Sequence, residues 1–343
     1  MIYSVQYMRA IAAILVVIHH ATEKGAQYSS APFEWFTIGE AGVDLFFIIS
    51  GYIMCHTVDS KNIDFISFIT ARIKRIIPLY WVLTTMALVI YLLFPDKVNS
   101  AGGGTDIIHS YILFPVEANY LISNGWTLSY EFFFYFLFAF GLIFSGKFNF
   151  FIPIILIITL VNLGNFYTLN TTIFNFITNP LLLEFSFGIL IYYLFQNNHL
   201  NLILGSSLII VSIILFSLVN IFTPDNSRII NYGIPAMFFF IGMMTLEPLF
   251  IKTNENKIAL FFKMVGNSSY SLYLFHPFAL VITSIILNKI DLNEFGYLFV
   301  MLLIVSSIVA GQLCYLLIEK NLAKLFKNTN KKQVTAQFRA KAY

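Results

Sequence analysis

Apolar stretches long enough to cross a bilayer follow one another along almost the whole chain, and no other feature restricts the fold so severely. A spanning helix takes about 20 mostly apolar residues. Ten segments qualify, near residues 4–22, 39–58, 77–94, 124–144, 150–165, 180–196, 201–222, 230–248, 267–287 and 295–318. Hydrophobic residues make up 58% of the 343 and charged residues 11%, against about a quarter charged in soluble domains. The expectation is an all-α polytopic membrane protein of about ten transmembrane helices. The segment 10–18 imitates a signal-peptide core, but Arg9 stands in place of a basic leader, and His19 and His20 follow; it reads as a retained span. The longest connection, about 95–123, contains Gly102-Gly103-Gly104 and has the composition of a flexible surface loop.

Lys and Arg set the orientation. With the N-terminus cytoplasmic, fifteen fall inside (Lys61, Arg72, Lys74, Arg75, Lys147, Lys252, Lys257, Lys263 and seven after Glu319) and four outside (Lys24, Lys97, Arg228, Lys289). Both termini are therefore expected in the cytoplasm, with residues 321–343 forming a basic tail against anionic headgroups or disordered. A nucleic-acid partner is not expected. Cys55 and Cys314 sit in apolar runs and suit packing, without disulfide or metal-ligand spacing. Neither a phosphate-binding glycine loop nor a Gly-x-Ser-x-Gly elbow is present.

Ionisable residues inside spans are the candidates for function, because each costs several kcal/mol unless paired or hydrated. Arg9 and His20 fall about 20° apart around one helix, so they share a face, separated by roughly 16 Å of axis. Snorkelling to the two interfaces accounts for Arg9 as well as function does. Asp44 and Glu131 enter from the outer side on two other spans, at a depth similar to His20. A histidine beside carboxylates suits general-base work, while a polar network holding helices together is the alternative. Arg72, Lys74 and Arg75 precede the third span and suit phosphate binding, although topology alone would also place cations there. Trp126 reads as an interfacial aromatic or a substrate platform. His276, after Ser269-Tyr270-Ser271, is expected to face a hydrated cavity, and Glu184, Glu247 and Glu319 to be interfacial.

Taken in order, Arg9 with His20, Gly42-Val43-Asp44-Leu45-Phe46-Phe47 with Ser50-Gly51, Arg72-x-x-Arg75 before Pro78, Trp126-Thr127-Leu128-x-x-Glu131, and Ser269-Tyr270-Ser271 with His276-Pro277 resemble the acyltransferase 3 family. Ser4 to Arg9 and Pro78-Leu79-Tyr80-Trp81 are most similar to its exopolysaccharide-modifying acetyltransferases; Trp-Thr-Leu stands where Trp-Ser-Leu is common. The resemblance implies a ten-helix domain over 1–320 in a bacterial cytoplasmic membrane. It implies transfer of an acyl, usually acetyl, group from acyl-coenzyme A to a surface or exported glycan, such as an exopolysaccharide or O-antigen. No resident cofactor is implied. His20 would be the general base or acyl carrier, oriented by Asp44 or Glu131. Arg9, Arg72 and Arg75 would hold the donor's phosphates, and Trp126, Ser269, Tyr270 and His276 would contact substrate. With about 25 residues past the last span, the soluble hydrolase-like domain that some members append is not expected here. A transporter or flippase of a glycan or lipid-linked intermediate is the competing class.

Overall fold

The computed structural model describes residues 1–30, 32–33, 35–59, 63–95, 104–144, 149–167, 169–197, 201–222 and 226–325. Lys61, Lys97, Lys147, Gly102, Gly103 and the tail from 326 onward, all used in the charge and loop arguments, lie outside them. Among the described residues every extended element is helical, and the sole β-type pairing is a single bridge between Thr105 and Asn119. That is what a bilayer demands, since a helix satisfies its backbone hydrogen bonds internally.

The helices are α1 (Tyr3–Ala26), α2 (Ala41–Asp59), α3 (Phe65–Leu93), α4 (Ile107–Ile112), α5 (Gly125–Gly141), α6 (Phe151–Phe166), α7 (Thr172–Ile177), α8 (Leu182–Asn197), α9 (Leu202–Phe222), α10 (Ile234–Thr245), α11 (Glu247–Thr253), α12 (Lys257–Asn288) and α13 (Gly296–Cys314). Among the described residues seven spans are long and apolar enough to cross a membrane: α1, α2 with the turn before it, α3, α7 with α8, α9, α12 and α13. The protein is a multi-pass membrane protein. The pair α10–α11, bent by 56°, would make an eighth. Helices α5 and α6, with 17 and 16 residues, cover only about 25 Å at 1.5 Å per residue, short of a hydrocarbon core of about 30 Å. Helices occupy all ten expected segments, but length alone supports seven or eight crossings.

Several boundaries differ from expectation for local reasons. Asp64 caps α3, its carboxylate accepting from Ser67 N, so that helix starts before the arginines and carries Arg72, Lys74 and Arg75 on its own surface. The α13 helix passes through a wide π turn at Tyr315–Glu319 and continues to Leu325, beyond the expected domain end at 320. Pro248 lacks the N–H an uninterrupted helix needs and separates α10 from α11. From Gly104 onward the expected flexible loop is packed: Tyr80 donates to Ser110 O at 2.6 Å, and Leu121 N to Ser110 Oγ at 2.9 Å.

Helix α1 lies in the interior, against α12 on one side and α2 on the other, with α13 and α10 closing the ring. Its N-terminus is capped across the fold, because Glu247 accepts from Tyr3 N at 2.9 Å and Ser4 N at 2.6 Å. Helices α2 and α8 meet backbone to backbone: a Cβ on Gly51 would lie 2.1 Å from Phe185 O, and one on Gly188 2.1 Å from Ile48 O. Only glycine permits that approach. At the periphery α9 turns Ile203, Ile210, Ile214 and Phe222 outward, as a lipid-facing helix does.

Candidate active site

The two ends of α1 build two different environments. At one end Arg9 borders a cavity of about 340 Å³ that also meets Arg72 and Arg75 from α3, Ser50 and His56 from α2, Glu131 and Tyr135 from α5, and Ser269, Tyr270 and Tyr273 from α12. Among the described residues none of the three arginines makes an ion pair. Arg72 lies over the Phe68 ring, its Nε buried without a hydrogen-bond partner. Glu131 spends its carboxylate elsewhere, accepting from Ser50 Oγ at 2.8 Å and from Tyr135 Oη. Glu319, on the π turn, accepts from Ser271 Oγ and is an electrostatic neighbour of Arg75 and Arg9. Ser269 is fully buried with its hydroxyl unpaired, while Tyr270 donates to Ile76 O at 2.8 Å.

At the other end His20, half-buried, faces His276 of α12. His276 Nε2 lies 3.1 Å from His20 Nδ1, and His276 Nδ1 lies 3.0 Å from Leu272 O. His276 is completely buried, against the expectation that it lines a hydrated cavity. The cavity stops one helical turn short of it, at Tyr273, whose hydroxyl pairs with Thr127 Oγ1 at 2.7 Å. His19 packs edge-on to His20 and approaches Glu23 at 3.5 Å. The ligating atoms of His19, His20 and Glu23 fall within 4.8 Å of one another, a spacing a metal ion could use.

Asp44 and Glu131 do not reach His20 as hydrogen-bond partners. Asp44 is fully buried and held by Arg228, through Nη2 at 2.7 Å and Nε at 3.2 Å; Arg228 Nη1 also binds Glu40 at 2.6 Å. Glu184 of α8 abuts Asp44, buried, with neither carboxyl oxygen meeting an N–H or O–H donor. His20 thus meets a second imidazole where a carboxylate was expected, while Asp44 pairs with Arg228 and Glu131 borders the arginine cavity. Trp126 lines a separate cleft of about 310 Å³ with Glu117, Tyr120, Tyr130, Asn175 and Asn179.

Arg228 and Glu319 were the residues least visible in the sequence. Arg228 reads as a loop cation, yet a buried Asp44 demanded a partner. Glu319 reads as interfacial only if α13 stops before it.

A family model described as an acyltransferase domain matches residues 2–317. The exopolysaccharide production protein ExoZ of Rhizobium meliloti (strain 1021) is 29% identical over 338 residues, covering 95% of this chain and 99% of its own length. The O-acetyltransferase OatA of Staphylococcus aureus (strain NCTC 8325 / PS 47) is 25% identical over 308 residues, 78% of this chain and 49% of OatA, so the chain spans about half of that relative. No solved structure matches.

Proposed function

We propose, from the premise that this chain belongs to the acyltransferase 3 family and is an acyltransferase, that it moves an acyl group, in the simplest case acetyl, from acyl-coenzyme A to a hydroxyl of an exported or cell-surface glycan. The observation carrying this reading is the cavity bordered by Arg9, Arg72 and Arg75, three guanidiniums without a carboxylate ion pair among the described residues. Unpaired cations around one cavity suit a polyanion, and guanidinium forks match phosphate oxygens. On the Lys and Arg bias of the sequence we take this end of the bundle as the cytoplasmic one, where coenzyme A would be supplied, and the family resemblance makes the membrane the cytoplasmic one in this reading. The His20 end then faces outward, toward an exported acceptor.

In this reading the donor's phosphates rest on the arginines and its acyl-bearing arm extends along α1 toward His20. His20 takes the proton of the acceptor hydroxyl as that oxygen attacks the thioester carbonyl carbon. The C–S bond breaks, coenzyme A leaves as the thiolate, and the proton on His20 returns to that sulfur. Trp126 and the polar side chains of its cleft are where the acceptor sugar would stack. Membranes carrying the protein, given radiolabelled acetyl-coenzyme A and polysaccharide, are expected to label the polysaccharide. His20→Ala is expected to abolish labelling while the protein still inserts. A flippase would move glycan without consuming donor, and undiminished labelling by the His20 variant would remove the assignment.

A further inference from the structure

We propose that His276 is a positioning residue that holds His20 in its Nδ1–H form and so leaves Nε2 as the atom that accepts the acceptor's proton; this rests on the reading of His20 as the base. The argument follows the protons. Leu272 O, 3.0 Å from His276 Nδ1, is a carbonyl oxygen and can only accept. Nδ1 of His276 therefore carries a proton. The ring is completely buried and no carboxylate hydrogen-bonds it among the described residues, so the packing holds a neutral imidazole, not an unpaired cation. A neutral ring protonated on Nδ1 has its lone pair on Nε2.

That lone pair points at His20 Nδ1, 3.1 Å away. Two lone pairs facing at this distance would repel, so the proton lies on His20 Nδ1 and is donated to His276. The remaining nitrogen of His20, Nε2, then holds the free lone pair. The sequence Leu272 carbonyl, His276, His20 is one directed chain of hydrogen bonds anchored on the backbone of α12. The carboxylates expected to serve His20 are committed elsewhere, Asp44 to Arg228 and Glu131 to Ser50 and Tyr135, and Glu23 approaches His19. A backbone carbonyl relayed through an imidazole thus supplies the orientation that a carboxylate supplies in other histidine bases.

The neighbouring residues fix the geometry. Pro277 has no N–H, so the Tyr273 carbonyl loses its helical partner and accepts from Asn124 Nδ2 at 2.9 Å. That bond ties α12 to the start of α5 beside the histidines. The Tyr273 ring stands 6.2 Å from the His276 ring, centroid to centroid, and the two imidazoles 5.1 Å apart.

The test uses the full chain in nanodiscs with ¹⁵N-labelled histidine. In the wild type, His20, assigned by its loss in His20→Ala, is expected to show a protonated Nδ1 and a bare Nε2 at neutral pH. An Nε2–H tautomer would overturn the proposal. His276→Gln retains a carbonyl acceptor near the Nε2 position, and His276→Leu retains none. The leucine variant is expected to lose about 100-fold in kcat, with donor KM unchanged and His20 drifting to Nε2–H, while the glutamine variant stays within about tenfold of wild type. Equal kcat in the two variants would also overturn the proposal. If the leucine variant does not fold, the wild-type tautomer decides. Failure of the underlying reading looks different: His20→Ala would then transfer acyl groups normally, whatever the tautomer.

Discussion

Arg228 grips Asp44 with two nitrogens, at 2.7 and 3.2 Å, inside a site where the carboxylate has no exposure to solvent. The pair joins the first turn of α2 to the segment leading into α10, and Glu40 and Glu184 crowd the same guanidinium. Removing the cation would leave buried carboxylates without compensation, which costs about 3–5 kcal/mol. Arg228→Met is therefore expected to lower the melting temperature in detergent sharply. Adding Asp44→Asn should recover part of the loss. If Asp44 instead served the reaction alone, Asp44→Asn would reduce kcat at unchanged melting temperature, so the two measurements separate the roles.

The arginine cavity gives a prediction of a different kind. Arg72 and Arg75 face it without ion pairs, and the carboxylates nearest them, Glu131 and Glu319, keep hydroxyl donors of their own when an arginine is removed. Each charge-assisted hydrogen bond to phosphate is worth about 1.5–3 kcal/mol. Arg72→Ala or Arg75→Ala is expected to raise the donor KM by about 10- to 100-fold, with kcat and melting temperature nearly unchanged. Arg9→Lys keeps the charge and loses the fork, so its effect should fall between wild type and Arg9→Ala. A KM indifferent to substitution at all three positions would move the donor elsewhere.

Glu131 opposes those arginines without bonding them, and it accepts from Ser50 and Tyr135. Glu131→Gln removes the negative charge but keeps an acceptor for both hydroxyls. Donor KM is expected to fall several-fold, because an anion would then meet a more positive cavity. Glu131→Ala also leaves two hydroxyls unpaired and should cost about 1–3 kcal/mol of stability. If Glu131 takes part in proton transfer, the glutamine variant will lose kcat by 100-fold or more. Steady-state kinetics over a range of acetyl-coenzyme A distinguish these outcomes.

The helical, multi-span architecture was legible because lipid imposes it on composition: apolar runs of span length have few other uses. The common cavity of Arg9, Arg72 and Arg75 was not derivable from charge counting, which bears on the expected side of the membrane and not on their convergence. Depth was legible only in part and azimuth across helices was not: Glu131, expected at the height of His20, borders the cavity at the Arg9 end instead, and spacing along a helix cannot say which neighbour a residue turns to. His276 shows the same limit: its isolation in an apolar run signalled cost, and only the packing of α12 on α1 revealed that its partner is His20.

Trp126 sits in its own cleft, edge-on to Tyr130, with Glu117, Asn175 and Asn179 along the walls. Aromatic faces bordered by amide and carboxylate groups suit a sugar ring. Since Trp126 does not border the arginine cavity, Trp126→Ala is expected to raise the acceptor KM by about 2- to 10-fold, the equivalent of about 0.5–1.5 kcal/mol, with donor KM constant. A change in donor KM would mean that the two spaces communicate.

The contact of α2 with α8 bears on both ends of the site, because α2 carries Asp44 near its start and Ser50 beside the cavity, while α8 carries Glu184. At the crossing, a Cβ on Gly188 would sit 2.1 Å from Ile48 O, an oxygen of the helix backbone that cannot swing aside as a flexible side chain would. Gly188→Ala must therefore push the helices apart, and overpacking of this kind costs about 1–3 kcal/mol. The better helix propensity of alanine, worth about 1 kcal/mol, offsets only part of that. Gly104→Ala, where nothing lies within 4 Å of the added Cβ, is the control. The melting temperature in detergent is expected to fall for Gly188→Ala and hold for Gly104→Ala. Separation of α2 from α8 should also carry Asp44 away from Glu184, so Gly188→Ala and Arg228→Met should be less than additive in the double variant. Strict additivity would mean that the glycine crossing and the buried ion cluster are independent.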